Sequence, residues 1–191
     1  MEAQVKVIIS GYTFADSTAG ASGAAEKTRA TTTLVRDEGI VMVCDPGVLD
    51  SQQILIDALK NEGLGINDVN YVFISHSHID HYRNIGMFPN AKTLEYFGIW
   101  HGEEVEDWSE NLTENIRILK TPGHNYDALT LLVKTKDGVV AVCGDVFWKE
   151  NYPKNDPYAS DMEKLRESRK KVLELADWII PGHSGMYKVK K

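Results

Sequence analysis

Hydrophobic residues along the chain fall into short runs that are separated by turn residues. Runs rich in β-branched and aromatic side chains predict strands. The predicted strands are 5–10, 30–36, 39–44, 71–74, 115–120, 128–135, 139–143 and 178–180. Turns that contain glycine, at 37–39 and 136–138, join two pairs of these strands as hairpins.

Two longer stretches, 51–62 and 160–176, have the spacing of amphipathic helices. Asp50 with Gln53, and Ser160 with Glu163, have the spacing of capping pairs at the start of these helices. In the first helix, the residues predicted to face inward are Ile54, Leu55, Ala58 and Leu59, with Gly63 at the end. Strands in the middle with helices outside predict an α/β fold, a four-layer αββα sandwich.

Length and composition are those of one globular domain, residues 1–191. Hydrophobic residues make up 42% and charged residues 26%, and no apolar stretch approaches the roughly 20 residues of a membrane span. The first residues have neither a basic region nor a long apolar core, so we expect no secretory signal. The two cysteines lie in apolar strands, which favours buried thiols and a cytoplasmic protein but leaves a disulfide open.

The net charge of −7 is a poor electrostatic match for a phosphate backbone. The basic residues nevertheless cluster, in 164–171 and in 188–191. The first cluster is predicted to be the solvated face of a helix. Charge therefore does not favour a nucleic-acid partner, although it does not exclude one.

Residues 75–81 carry most of the candidate chemistry and directly follow the predicted strand 71–74. Three of the six histidines, His76, His78 and His81, fall within this run together with Asp80. A strand that ends in such a cluster presents it at the carboxyl edge of a sheet, where α/β proteins place their active sites. A lone histidine is more often a packed residue than a ligand, whereas three at this spacing indicate a metal site.

The spacing within this run predicts two metal positions. Alternate residues of an extended chain share a face, so His76 and His78 can reach one ion together. Asp80 and His81 follow where the backbone turns into a helix, so they point to a second position nearby. Each catalytic zinc takes about three protein ligands and a water, so a pair of ions needs more ligands than the run supplies.

Further ligand candidates lie at three separate points of the chain. They are His124, Asp145 and His183, each of which directly follows a glycine. Imidazole nitrogens and carboxylates suit zinc first, and then iron, manganese or cobalt. The predicted cofactor is therefore a pair of divalent metal ions, with zinc as the first choice.

These motifs resemble those of the metallo-β-lactamase superfamily. The motifs are His76-x-His78-x-Asp80-His81, Thr121-Pro122-Gly123-His124, Gly144-Asp145, Pro181-Gly182-His183 and the turn Cys44-Asp45-Pro46-Gly47. Within the superfamily, 75–89 and 32–47 most resemble the group typified by metallo-β-lactamase domain-containing protein 1. The resemblance implies an αββα sandwich, and a turn at Asp45 that braces the metal loop. It implies one ion held by His76, His78 and His124, a second held by Asp80, His81 and His183, and Asp145 bridging both.

Metal-assisted hydrolysis is the reaction that such a site would catalyse. A water or hydroxide between the two ions would attack, and Asp80 would orient it and pass a proton to the leaving group. We expect a broad-specificity hydrolase of small lactones, thioesters or esters. The alternative is a phosphodiesterase or endoribonuclease, and a third hypothesis is a non-enzymatic metal-binding domain, which would be expected to have an incomplete ligand set. The oligomeric state stays open, with a homodimer as one alternative.

Two segments have alternative interpretations. The glycine- and alanine-rich loop 11–29 is either a lid over the metals or a loop without a function. Four aromatic residues follow Asp145 and either line a substrate pocket or fasten a long loop to the surface, with the pocket favoured. These residues are Phe147, Trp148, Tyr152 and Tyr158.

Overall fold

Two β-sheets form the centre of the molecule. The structure is a computed structural model that describes residues 2–15 and 27–190. The first sheet has seven strands in the order β1-β4-β5-β6-β7-β8-β9. Their bounds are β1 Gln4–Ile9, β4 Thr32–Asp37, β5 Ile40–Cys44, β6 Tyr71–Phe73, β7 Lys92–Glu95, β8 Gly98–His101 and β9 Glu104–Glu106. Strands β5, β6 and β7 run parallel, and their carboxyl ends therefore lie at one edge of the sheet.

The second sheet has five strands in the order β10-β11-β12-β13-β14. Their bounds are β10 Ile116–Lys120, β11 Leu129–Thr135, β12 Gly138–Val142, β13 Trp178–Ile180 and β14 Tyr187–Lys188. Only the pair β12–β13 is parallel, so these two strands also end at one edge. A small separate ribbon pairs β2 Tyr12–Thr13 with β3 Thr28–Arg29.

Three hydrophobic clusters hold the layers together. Phe73 and Leu94 of the first sheet meet Leu131 of the second in the cluster between the sheets. The outer face of the first sheet is covered by α1 Gln53–Asn61, and that of the second by α3 Met162–Leu175. The predicted four-layer αββα sandwich is therefore confirmed.

Helix α1 packs as its sequence pattern predicts. Leu55 and Leu59 are fully buried against the outer face of the first sheet, with Ile54 and Ala58 partly buried beside them. The helix gives way at Glu62 to Gly63, whose φ of +72° suits glycine. The predicted inward face and the predicted end of the helix are both confirmed.

Both predicted capping pairs are wrong by one or two residues. Asp50 does not cap α1, because its carboxylate accepts a hydrogen bond from Arg29 at 2.8 Å. At α3 the cap is Asp161, which accepts from the backbone N–H groups of Glu163 and Lys164. The Ser160 hydroxyl instead donates to the Gly123 carbonyl at 3.1 Å, so it fastens the loop before His124 rather than the helix.

Strands β2, β3, β7, β8, β9 and β14 were not predicted from the sequence, and β2 and β3 lie within the predicted loop 11–29. They are short, and β9 is exposed throughout, so it has no run of hydrophobic residues to reveal it. An ion pair of 2.9 Å joins Lys92 of β7 to Glu106 of β9. Such strands depend on pairing with their neighbours rather than on their own apolar pattern.

Other predictions concern the membrane, the cysteines and the first long loop. Within the described part of the chain, no helix is long and apolar enough to cross a membrane. Cys44 and Cys143 are buried free thiols, as the simpler interpretation predicted. Residues 16–26, the centre of the proposed lid, lie outside the described residues, so the lid stays a prediction.

Candidate metal centre

The strand ends bring the candidate ligands together at one edge of the sandwich. The loop after β6 carries His76 and His78, and it leads into the short helix α2 Ile79–Tyr82, which carries Asp80 and His81. In the second sheet, Asp145 follows β12 and His183 follows β13. The turn from strand to helix predicted within the histidine run is thus confirmed, and parallel strands explain why distant motifs meet.

One group of potential ligand atoms comes from His76, His78, His124 and Asp145, and these atoms all lie within 4.8 Å of one another. The Nδ1 atom of His78 lies 3.0 Å from Nε2 of His76 and 3.0 Å from Nε2 of His124. Nitrogens bound tetrahedrally to a zinc at about 2.05 Å would be about 3.3 Å apart. The spacing of the His78 nitrogen from the other two is therefore close to that of a tetrahedral site.

A second group consists of Asp80, His81 and His183, whose ligand atoms also lie within 4.8 Å of one another. Asp145 is near both groups. Its Oδ1 lies 3.1 Å from Nε2 of His183 and 3.4 Å from Nε2 of His81, while its Oδ2 lies 3.4 Å from Nε2 of His124. A carboxylate in this position can serve two ions at once.

The donor atoms fit divalent cations. Nε2 of His81 and Oδ1 of Asp145 are buried, and among the described residues they lack a hydrogen-bond partner of good geometry. Buried polar atoms without partners are costly, and in proteins they are usually satisfied by hydrogen bonds, water or an ion. Imidazole and carboxylate donors without thiolates match zinc, iron or manganese.

Contacts at the Nδ1 atom orient four of the histidines. A histidine that binds a metal through Nε2 usually uses Nδ1 to bind a second group, which fixes the ring and its tautomer. The Nδ1 partners are Ser75 Oγ at 3.0 Å for His76, Asp45 Oδ2 at 2.9 Å for His81, Asp156 Oδ2 at 2.7 Å for His124, and the Arg29 carbonyl at 2.9 Å for His183. The four Nε2 atoms are thereby directed to the shared centre.

The turn at Asp45 braces the metal loop, as the resemblance implied. Asp45 has a positive φ of 50°, and its carboxylate accepts from the backbone N–H and the hydroxyl of Ser75 at 2.8 and 2.7 Å. Two residues later, Gly47 packs directly on the Asp80 carbonyl, where a β-carbon would overlap it. This glycine therefore permits the close approach of the turn and α2.

Protonation in the centre follows from burial and from neighbouring charge. Burial and the adjacent imidazoles of His81 and His124 lower the pKa of His76 well below its ordinary value. Against the effect of burial, His183 and His81 hold the pKa of Asp145 well below its ordinary value. Burial likewise opposes protonation of His81, but Asp145 and Asp45 raise its pKa well above the usual range. His76 is thus neutral and Asp145 ionised, as metal ligands must be, whereas metal binding at His81 would displace a proton.

Two contacts of the centre have no motif of their own in the sequence. Asp156 is buried under His124, and the Thr28 hydroxyl lies 3.3 Å from Oδ2 of Asp80 and 3.2 Å from Nδ1 of His183. Asp156 lies in a polar loop, in the sequence Asn155-Asp156-Pro157 that usually marks a turn. Only the folded chain shows that this turn lies against His124.

Replacing Asp156 by alanine is expected to weaken metal binding by about 10–100-fold, the usual cost of losing an outer partner of a ligand histidine. Competition with a chromophoric chelator measures this affinity directly. The control is Asn155→Ala in the same loop, whose exposed side chain has no contact with the centre. Equal affinities for the two variants would mean that Asp156 supports the loop rather than His124.

A cavity of about 140 Å³ opens onto the candidate ligands. Trp148 and Tyr158, whose rings stack with centroids 5.8 Å apart, form part of its wall, as the pocket interpretation predicted. Phe147 does not line it, because it packs in the cluster beneath α3, and Tyr152 contacts Trp148 instead. The ligands named from the sequence that line the cavity are His78, Asp80, His124, Asp145 and His183.

Known proteins of one superfamily are similar in sequence to this chain. Residues 26–104 match the family model of the metallo-β-lactamase superfamily. Metallo-β-lactamase domain-containing protein 1 of Xenopus laevis is 34% identical over 151 residues, which cover 74% of this chain and 65% of the relative. The proteins of that name in frog, human, mouse and rat are matched over 59% to 65% of their lengths, so the chain spans less than two thirds of them. An N-acyl homoserine lactonase of Bacillus cereus is 28% identical, over 63% of this chain and 56% of the relative.

Two further matches cover a larger share of the matched protein. A putative metallo-β-lactamase from Thermotoga maritima has a TM-score of 0.74 at 21% identity, with 98% of this chain and 100% of the other covered. A probable metallo-hydrolase of Methanocaldococcus jannaschii is 33% identical over 156 residues, which cover 78% of this chain and 74% of the relative. Together with the family match, this identity shows that the chain belongs to the metallo-β-lactamase superfamily.

Proposed function

We propose that this protein is a binuclear metal-dependent hydrolase that acts on small lactones, esters or thioesters with broad specificity. The observation that carries the proposal is the pair of ligand groups beside one cavity, with the Asp145 carboxylate next to both groups. The superfamily membership and the similarity to a protein named a probable metallo-hydrolase support hydrolysis as the reaction. The proposed ligands are the seven residues named from the sequence: His76, His78, Asp80, His81, His124, Asp145 and His183.

The two ion positions correspond to the two ligand groups. His76, His78 and His124 would hold one divalent cation, Asp80, His81 and His183 the other, and Asp145 would contact both. Bound zinc, or iron or manganese in its place, would supply hydroxide at neutral pH and polarise the oxygen of the group under attack. The buried ring contacts of the histidines hold the donor atoms in place before any ion binds.

Asp80 is the proposed proton carrier. Its side chain is 18% exposed and lines the cavity, whereas Asp145 is almost fully buried. Oδ2 of Asp80 accepts a hydrogen bond from Thr28 at 3.3 Å and lies 3.7 Å from Nε2 of His183. A carboxylate held in this way can take a proton from the attacking water and deliver it to the leaving group.

The walls of the cavity favour an acyl substrate over a phosphodiester. Ala15, Trp148 and Tyr158 supply apolar and aromatic surface, and no lysine or arginine of the described residues lines the cavity. The two ions could neutralise one phosphoryl group, but the further phosphates of a nucleic acid usually require lysine or arginine contacts, whereas a lactone is neutral. The similarity to N-acyl homoserine lactonases adds support for a lactone or related ester.

A comparison of substrates tests this preference. The zinc-reconstituted protein is expected to hydrolyse an N-acyl homoserine lactone at least about tenfold faster than bis-p-nitrophenyl phosphate or single-stranded RNA. Because the lactone is neutral, its kcat/KM should change little between about 50 and 500 mM salt, whereas a nucleic-acid substrate should bind much more weakly at the higher salt. Faster cleavage of RNA with a steep loss in salt would contradict the acyl assignment while leaving the metal centre in place.

A further inference from the structure

The ribbon β2–β3 carries a hydroxyl group to the second ligand group. Thr28 lies in β3, opposite Thr13 of β2. Its Oγ1 atom is 3.3 Å from Oδ2 of Asp80 and 3.2 Å from Nδ1 of His183. Asp80 and His183 are two of the three residues in that group, and they follow strands of different sheets. A single hydroxyl therefore touches two ligands of the same proposed ion.

The direction of these hydrogen bonds follows from the atoms involved. The Arg29 carbonyl can only accept, so Nδ1 of His183, 2.9 Å away, must carry the hydrogen. The same N–H also faces Thr28, whose own proton is directed to Asp80, because an ionised ligand carboxylate can only accept. The result is a chain from the His183 ring through the Thr28 hydroxyl to the Asp80 carboxylate. It leaves Nε2 of His183 free for an ion.

Asp80 is the ligand of this group that depends most on such a contact. Its side chain is 18% exposed, whereas those of His81 and His183 are 0% and 4% exposed and are held by the surrounding atoms. The oxygen that Thr28 contacts, Oδ2, also lies 3.7 Å from Nε2 of His183 and 3.9 Å from Nε2 of His81. A carboxylate oxygen has two lone pairs, so Oδ2 can accept from Thr28 and still bind an ion. The hydroxyl therefore restricts the side chain that packing holds least.

We propose that Thr28 is a positioning residue for the second ion: its hydroxyl holds Asp80 and His183 in the orientation in which both can bind. This inference rests on the proposed function, because it presumes a second ion. Coupling between two sites is reciprocal, so a ribbon that strengthens ion binding must itself be stabilised by the ion to the same extent. Because Thr28 also lines the cavity, the same contact would fix one wall of the substrate site when the second ion is bound.

Replacement of Thr28 by valine, which removes the hydroxyl and keeps the branched shape, is expected to weaken binding of the second ion by about tenfold. The lower end of the usual range of about 10–100-fold applies, because 3.3 Å is long for a hydroxyl hydrogen bond. The first ion should bind unchanged, since its group includes neither Asp80 nor His183. Thr28→Ser retains the hydroxyl and should bind the second ion within about threefold of the wild-type protein. Zinc titration of the metal-free protein against a chromophoric chelator measures both affinities.

Thr13→Val is the matched control. Thr13 faces Thr28 across the ribbon, but its hydroxyl accepts from the Ala15 backbone N–H at 3.1 Å. Its removal tests the ribbon itself and leaves the contacts to Asp80 and His183 in place. The second ion should therefore bind Thr13→Val as tightly as it binds the wild-type protein.

Amide hydrogen exchange at Phe14 gives a readout that does not depend on activity. Its N–H donates to the Lys27 carbonyl at 3.1 Å across the ribbon, so its exchange reports how often the ribbon opens. By reciprocity, adding the second ion should slow this exchange by about tenfold in the wild-type protein. The slowing should be lost in Thr28→Val and retained in Thr28→Ser.

Three results would overturn the inference. Two ions bound with equal affinities by the wild-type and Thr28→Val proteins would remove Thr28 from the second position and leave the binuclear proposal intact. An equal loss in Thr28→Ser or in Thr13→Val would assign the effect to the shape of the ribbon rather than to the hydroxyl. Uptake of one ion only by the wild-type protein would overturn this inference together with the proposed function.

Discussion

Substitution of Asp145 by asparagine is expected to reduce bound metal from two ions to one or fewer and to lower kcat/KM by about 1000-fold or more. Losing an outer partner of a ligand already costs 10–100-fold in affinity or activity, and Asp145 is the carboxylate closest to both groups. Asparagine has nearly the same shape, which matters because Gly182 packs directly on Oδ1 of Asp145. The loss would therefore report on charge and ligation rather than on packing.

Metal analysis by mass spectrometry and lactone kinetics on the same preparation measure both effects. Asp107→Asn, an exposed carboxylate away from the centre, is the matched control and should retain two ions and full activity. An Asp145→Asn protein that keeps both ions and its activity would remove Asp145 from the site.

Substitution of Asp80 by asparagine is expected to leave the fold and the first ion intact but to lower turnover by about 100-fold or more. The first group, His76, His78 and His124, does not include Asp80, so its ligands are unchanged. The amide is a weaker ligand for the second ion and cannot carry a proton. Both consequences act on kcat more than on the binding of a neutral substrate.

Bound zinc and turnover, measured on the same Asp80→Asn protein with and without excess zinc, separate the two roles of Asp80. If excess zinc restores the second ion without restoring the rate, Asp80 carries the proton; if it restores both, Asp80 is a ligand only. The control is Asp57→Asn on α1, whose exposed carboxylate contacts Gln53 at 2.9 Å and should have no effect. Near-normal rates with both ions bound in untreated Asp80→Asn protein would show that Asp80 has neither role.

The central strands, the two long helices and the grouping of the metal-ligand candidates could be predicted from the sequence. Buried strands such as β5 and β12 are almost continuously hydrophobic, so their own residues define them. Histidines within 75–81 stand out because ordinary packing rarely explains such a cluster. Parallel strand ends then bring Asp145 and His183 to the same edge, which the order of motifs implied.

The remaining features depend on contacts that the sequence does not encode locally. Ser160 has the spacing of a helix cap, yet the Gly123 carbonyl competes for its hydroxyl and Asp161 caps the helix instead. Asp156 supports His124 across 32 positions of the chain, with no motif to connect them.

Anomalous X-ray diffraction at the zinc absorption edge, on crystals of the zinc-reconstituted protein, tests the central claim most directly. The binuclear proposal predicts two strong peaks, one among His76, His78 and His124 and one among Asp80, His81 and His183, with Asp145 next to both. Two metals of this kind typically lie about 3.5–4 Å apart. A single peak at full zinc saturation, or a second peak away from Asp145, would contradict the proposal.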